Sequence, residues 1–79
     1  MPLINVKYFA FLREKAGVES EELSFEGTYN ELYSSLAERY QFDLPASMIQ
    51  LAVNDEFSSM NGVVAQNAKI VFIPPVAGG

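Results

Sequence analysis

Gly27-Thr28-Tyr29-Asn30-Glu31-Leu32-Tyr33-Ser34-Ser35-Leu36-Ala37-Glu38-Arg39-Tyr40 is the stretch on which the fold turns. Thr28 is a good N-cap, and Glu31 three residues later completes a capping box, so a helix is predicted to start here. Apolar or aromatic residues follow at Tyr29, Leu32, Tyr33, Leu36, Ala37 and Tyr40. That spacing is a single broad stripe on a helix of about three turns. Glu31, Ser34, Ser35 and Glu38 take the opposite face. The tyrosines read as core packing rather than a binding box, because they keep to the stripe.

Upstream of this helix, Leu3 to Phe9 alternates, with Ile4, Val6 and Tyr8 on one face and Asn5, Lys7 and Phe9 on the other. This predicts a half-buried strand. Ala10 to Ala16 is a short helical segment, and Gly17 stands where a C′ glycine ends a helix. Glu21 to Glu26 alternates again, Leu23 and Phe25 inward and Glu22, Ser24 and Glu26 outward, giving a second strand antiparallel to the first. Downstream, Phe42 to Ser47 reads as a loop and Met48 to Val53 as a third strand. Asn54-Asp55 is a tight turn into a short strand around Phe57, and Asn61-Gly62 is another turn. Val63 to Ala65 forms a brief strand or a turn packed on the core. Lys69 to Ile73 is the last strand, Ile70 and Phe72 facing one way and Val71 and Ile73 the other. Strands on both sides of one principal helix make an α+β fold with a mixed sheet curled over that helix.

The chain has 79 residues, which suits a single domain over 1–79, with 49% hydrophobic residues to build its core. Five basic against ten acidic residues give a net charge of −5. No large basic patch can be assembled from that set, which argues against nucleic-acid binding. No apolar run approaches the ~20 residues of a membrane span, so a cytoplasmic protein is expected. Cysteine and histidine are absent. Disulfides, thiolate or imidazole zinc sites and Ser-His or Cys-His catalytic pairs are thereby excluded. The carboxylates are scattered without metal-loop or acid/base spacing, and no phosphate loop exists, so no metal site, bound cofactor or self-contained active site is expected.

Two features remain. Phe9, Phe57 and Ile73 each stand where their local pattern asks for a polar residue. If the first and last strands pair in the middle of the sheet, the three can gather on the face away from the helix as a protein interface. The second feature is the ending, Pro74-Pro75-Val76-Ala77-Gly78-Gly79. Two prolines terminate sheet pairing and hold the chain extended. Fully extended, Val76 to Gly79 reaches roughly 13 Å, at about 3.3 Å per residue. A flexible tail over 74–79 of that width can enter a narrow channel in another protein and present its terminal carboxylate there.

Two stretches resemble a known family. "VKYFAFLREKAG", Val6 to Gly17, is similar to the strand and short helix that open molybdopterin synthase small subunits, sulfur carriers of the MoaD/ThiS-type ubiquitin-like family. "VFIPPVAGG", Val71 to Gly79, is similar to their C-terminus, and "VND", Val53 to Asp55, agrees in place. The resemblance implies a β-grasp fold, a mixed curled sheet packed on one main helix. It implies that the Gly79 carboxyl is adenylated by an ATP-using activating enzyme and converted to a thiocarboxylate by a sulfur donor. Gly79 then donates sulfur to a pterin precursor in the synthase large subunit, in a heterotetramer, for molybdenum cofactor biosynthesis. ATP belongs to the activating partner. Pro74, Pro75, Val76, Ala77 and Gly78 would enter the partners' active sites, and Phe9, Phe57 and Ile73 would contact the large subunit. The family's first-helix arginine falls on Arg13, also placed with the partner interface, its role left open. Relatives commonly carry Asp-Gly-Asp before the last strand, where this chain has Gln66-Asn67-Ala68; Asn67 tolerates a left-handed backbone.

The same ending also suits a ubiquitin-like modifier joined to target lysines, a carrier for thiazole or cysteine synthesis, or an interaction domain with an inert tail.

Overall fold

A computed structural model describes residues 1–75. The order is β1 (Leu3–Tyr8), α1 (Ala10–Ala16), β2 (Ser20–Ser24), α2 (Tyr29–Tyr40), β3 (Gln50–Val53), β4 (Glu56–Ser58) and β5 (Lys69–Ile73). The five strands form one mixed sheet in the order β2-β1-β5-β3-β4. At its centre β1 and β5 run parallel, Val6 beside Ile70 and Tyr8 beside Phe72. The other pairs are antiparallel. This is the α+β, ubiquitin-like β-grasp architecture expected from the sequence.

The core lies between α2 and one sheet face. Ile4, Val6 and Tyr8 of β1, Ile70 and Phe72 of β5 and Leu51 of β3 are buried there with Tyr29, Leu32, Tyr33 and Leu36 of α2. Tyr33 meets Phe72 edge-on at 5.3 Å between ring centroids. Phe42, in the segment read as a loop, is buried among Tyr8, Tyr33 and Tyr40 at centroid distances of 6.0, 6.0 and 5.8 Å. Aromatic pairs at such distances add about 0.5–1.5 kcal/mol beyond the area they bury.

The capping box forms as its spacing demands. Glu31 N–H donates to Thr28 Oγ1 at 3.1 Å, and Thr28 N–H donates to Glu31 Oε1 at 2.8 Å. The next free helical donors go to the loop after β4: Tyr29 N–H to Gly62 O at 3.0 Å and Asn30 N–H to Met60 O at 2.9 Å. Gly27 sets the entry, with a φ of 141°. A Cβ there would sit 2.8 Å from Glu31 Oε1 and 3.1 Å from the Phe25 ring. Gly27→Ala should therefore strain the backbone and displace the cap, costing about 2 kcal/mol or more. Urea denaturation checks this, with Thr28→Ala, about 1 kcal/mol, as the cap-only comparison. A Gly27→Ala protein as stable as its parent contradicts the account.

Several boundaries differ from the sequence reading. β1 stops at Tyr8 because Phe9 becomes the N-cap of α1. β2 runs from Ser20 to Ser24 rather than Glu21 to Glu26, and Phe25 N–H pairs instead with Pro2 O at 3.0 Å. The third strand starts at Gln50, since Ala46–Met48 forms a 3-10 turn behind Pro45, with Met48 N–H donating to Pro45 O at 3.0 Å. Val63 makes a lone bridge to Thr28. Asn67 does adopt a left-handed conformation, φ 65°. No helix among the described residues is long and apolar enough to cross a membrane.

Candidate functional site

With β1 and β5 paired at the centre, the residues that broke their local patterns lie on the sheet face turned from α2. Across the strands that face carries Lys7, Val71, Ala52 and Phe57 in one row, since these are successive register partners. Ile73 lies two residues along β5 from Val71 on the same side. Phe57 is 75% exposed and Phe9 41%, whereas Ile73 is half-buried.

Beside this row, between α1 and the end of β5, is a hollow of about 640 Å³ lined by Phe9, Phe11, Arg13, Ile73, Pro74 and Pro75, with Ala10 and Glu14 completing its wall. Five sequence-selected residues thus meet at one place: Phe9, Arg13, Ile73, Pro74 and Pro75. Phe57 stands apart, two strands from β5 on the same face. Pro74 is buried and Pro75 exposed, so the tail expected from residue 74 begins with a residue packed on the domain. Val76, Ala77, Gly78 and Gly79 lie outside the described residues.

Local geometry builds the hollow. Phe9 is extended, φ −119° and ψ 149°, and Ala10 turns left-handed at φ 49° before α1 begins. A left-handed alanine costs about 1–2 kcal/mol. That reversal swings Phe9 and Phe11 to flank the end of β5, while Leu12 is fully buried and anchors the helix. Gly17, φ 78°, ends α1 with its N–H on Arg13 O at 2.9 Å. Charge rims the apolar lining. Lys7 Nζ sits 5.3 Å from the Phe9 ring centroid. Arg13 is exposed and has no ion-pair partner among the described residues. The hollow offers apolar contact and a free guanidinium, a combination suited to holding a protein surface that carries a carboxylate.

The sequence reading missed a polar group on the core side. Glu21 lies on the inward face of β2, and a single oxygen, Oε2, accepts from Tyr8 OH at 2.5 Å and from Tyr40 OH at 2.6 Å. The signal was present: Glu21 is two residues before Leu23 and four before Phe25, on their face. Burial, then the bond to Glu21, holds the Tyr8 hydroxyl above the ordinary tyrosine range. The bond to Glu21, then burial, raises Tyr40, and burial raises Tyr33, whose hydroxyl donates to Leu44 O at 2.7 Å.

These shifts predict alkaline lability. Below about pH 10 the tyrosines are protonated whether folded or not, and their stabilisation is fully present. Above it the unfolded chain ionises first and binds fewer protons, so stability falls as pH rises. The slope reaches about 1.4 kcal/mol per pH unit for each buried tyrosine that stays protonated when folded. Urea midpoints at pH 8 and 11 test this, and a flat profile contradicts it.

The model of the ThiS family matches residues 6–79. The crystal structure of small archaeal modifier protein 1 from Haloferax volcanii superposes with a TM-score of 0.77 at 22% identity, covering 98% of this chain and 99% of that one. A candidate molybdopterin converting factor subunit 1 from Pyrococcus furiosus gives 0.78 at 23% identity, over 96% and 100%. The complex of subunits 1 and 2 of molybdopterin-converting factor from Helicobacter pylori gives 0.67 at 23%, over 98% and 99%. At these identities the structural likeness speaks for the fold.

Proposed function

The chain belongs to the ThiS family, and on that premise we propose that it is the sulfur-carrying small subunit of molybdopterin synthase, a cytoplasmic protein acting through the carboxyl group of Gly79. The observation that carries the reading is the hollow of Phe9, Arg13, Ile73, Pro74 and Pro75 at the root of a Gly-Gly ending to which the family match extends.

An ionised α-carboxyl, pKa about 3.5, is a poor electrophile at neutral pH. An activating enzyme solves this with ATP. The Gly79 carboxylate attacks the α-phosphorus, pyrophosphate leaves, and the resulting acyl-adenylate has AMP as a good leaving group. Sulfide from a sulfur donor then attacks the acyl carbon, AMP leaves, and a thiocarboxylate remains. In the large subunit that sulfur attacks the bound pterin precursor and takes the place of an oxygen leaving group; water then cleaves the acyl–sulfur bond, so the sulfur stays on the pterin and the Gly79 carboxylate is restored. This chain supplies the reactive end and the surface that aligns it; the two partners supply catalysis. Gly78 and Gly79 add no side-chain width to a tail threading a narrow channel. Phe9, Phe57 and Ile73 dock the open sheet face, Arg13 pairs with a partner carboxylate, and Pro74 through Gly78 span the distance from domain to reaction centre.

Intact-mass measurement after incubation with ATP, the activating enzyme and a sulfide source tests the reading. A gain of about 16 Da, one oxygen exchanged for sulfur, is expected. An unchanged mass, with the activating enzyme shown to be active on another carrier, would reject it. Kinship of fold with small archaeal modifier protein 1 supports a second reading, a modifier joined to lysines through the same activated end. Isopeptide-linked conjugates in cells distinguish that case.

A further inference from the structure

The β3–β4 hairpin turns on two residues, Asn54 and Asp55, with φ of 52° and 71°. Both values are positive, the mark of a type I′ turn, so the flanking Val53 and Glu56 exchange main-chain hydrogen bonds. An independent contact fixes the same phase: Asn54 N–H donates across to Lys69 O of β5 at 2.8 Å. Alternation along an antiparallel pair settles the rest. Leu51 and Ser58 bond each other, while Ala52 and Phe57 face each other without bonding. The N–H and C=O of Phe57 therefore both point away from β3. Because β4 is the outermost strand, no main-chain group among the described residues meets them.

We infer that this outer edge of β4 is a strand-addition site, where the partner protein lays an extended segment antiparallel to Glu56–Ser58 and pairs it with the main chain of Phe57. The inference rests on the carrier reading above and says how the large subunit holds the sheet. At Phe57 unpaired main chain and an exposed aromatic ring coincide. The partner residue opposite it shares its face and extends the row of Lys7, Val71, Ala52 and Phe57, so an apolar side chain belongs there. Its neighbour opposite Glu56 is a lysine or arginine. Glu56 is exposed and without an ion-pair partner among the described residues, whereas Asp55 is held by Lys69 at 3.8 Å. The other sheet edge is guarded: Glu19, Glu22 and Glu26 flank or occupy β2, as edge strands that avoid pairing do.

Amide hydrogen exchange, with and without the molybdopterin synthase large subunit of the same organism, is the test. The Phe57 amide should exchange at least about a hundredfold more slowly in the complex. A complex in which that amide exchanges as fast as in the free chain overturns the strand-addition inference and leaves the carrier reading standing. If no complex forms, the carrier reading itself falls, and the inference with it. Slowing that grows with concentration of this chain alone would assign the edge to a second copy and also overturn it. Phe57→Pro and Phe57→Ala give a second, independent measure. Both lose the ring, but only proline loses the N–H, which points outward and is not needed by β3. Phe57→Pro should bind the large subunit about tenfold or more weakly than Phe57→Ala, and equal affinities would overturn the inference. Should Phe57→Pro fail to fold, the exchange measurement on the unmodified chain decides alone.

Discussion

Deletion of Gly79 should leave a normally folded domain that no longer gains about 16 Da with ATP, activating enzyme and sulfide. Every buried residue among those described, from Ile4 to Pro74, lies upstream of Gly79. Gly79 carries no side chain, so its deletion removes none from the domain. The chemistry, by contrast, tolerates little. Truncation withdraws the carboxylate by about 3.3 Å, and a misplacement of even about 1 Å can cost a factor of 10² in rate. Loading should fall at least a hundredfold, on the order set by that positional sensitivity. Gly79→Ala should also fail, since its methyl group widens the end that has to pass the channel. Two results would sink this: loading of the truncated chain at the parent rate, or a fall in urea midpoint comparable to that of a core substitution.

Ile73→Asp is expected to weaken large-subunit binding about thirtyfold to a thousandfold, the range of hot-spot losses of about 2–4 kcal/mol. Ile73 sits on the open face of a central strand, beside the hollow and one residue from buried Pro74. Burying its side chain against a partner is worth roughly 1.5–3 kcal/mol. An aspartate forfeits that contact and brings a carboxylate that must be desolvated. The domain survives because the inner side of β5 is held by Ile70 and Phe72, both fully buried, and not by Ile73. Phe57→Asp should act in the same direction from the far end of the row. Isothermal calorimetry with the large subunit reads both, and unchanged affinity rejects the open face as the docking surface.

The helix was the most legible part of the chain, because capping and periodicity agree there. Thr28 and Glu31 form the box their spacing implies, and the stripe from Tyr29 to Tyr40 is the side that packs on the sheet. The last strand was equally clear, its bounds at Lys69 and Ile73 set by Asn67 before it and Pro74 after it. What the sequence hid depended on distant partners. Met48 is apolar yet half exposed, because Pro45 winds the chain into a 3-10 turn before β3 can begin. Phe42 is buried in a stretch of turn composition because three tyrosine rings surround it. Glu21 was legible as an inward position, but only the fold brings Tyr8 and Tyr40 onto one of its oxygens. The site divided in the same way. Phe9, Phe57 and Ile73 announced themselves by breaking local alternation. That Arg13 and the two prolines join Phe9 and Ile73 around one hollow follows from the left-handed turn at Ala10, which no local pattern reveals.

The parallel seam between β1 and β5 bears on how the chain is made. Its partners, such as Asn5 and Lys69, are separated by nearly the whole domain. During synthesis the opening strand must wait, bordered on one side only by β2, until the final strand clears the ribosome. Closing so long a loop is slow, and the apolar side of β1 stays uncovered meanwhile. The two pairings of β5, with β1 and with β3, are therefore the last parts of the sheet to assemble, and a nascent chain stalled before Lys69 has no central strand to fold around.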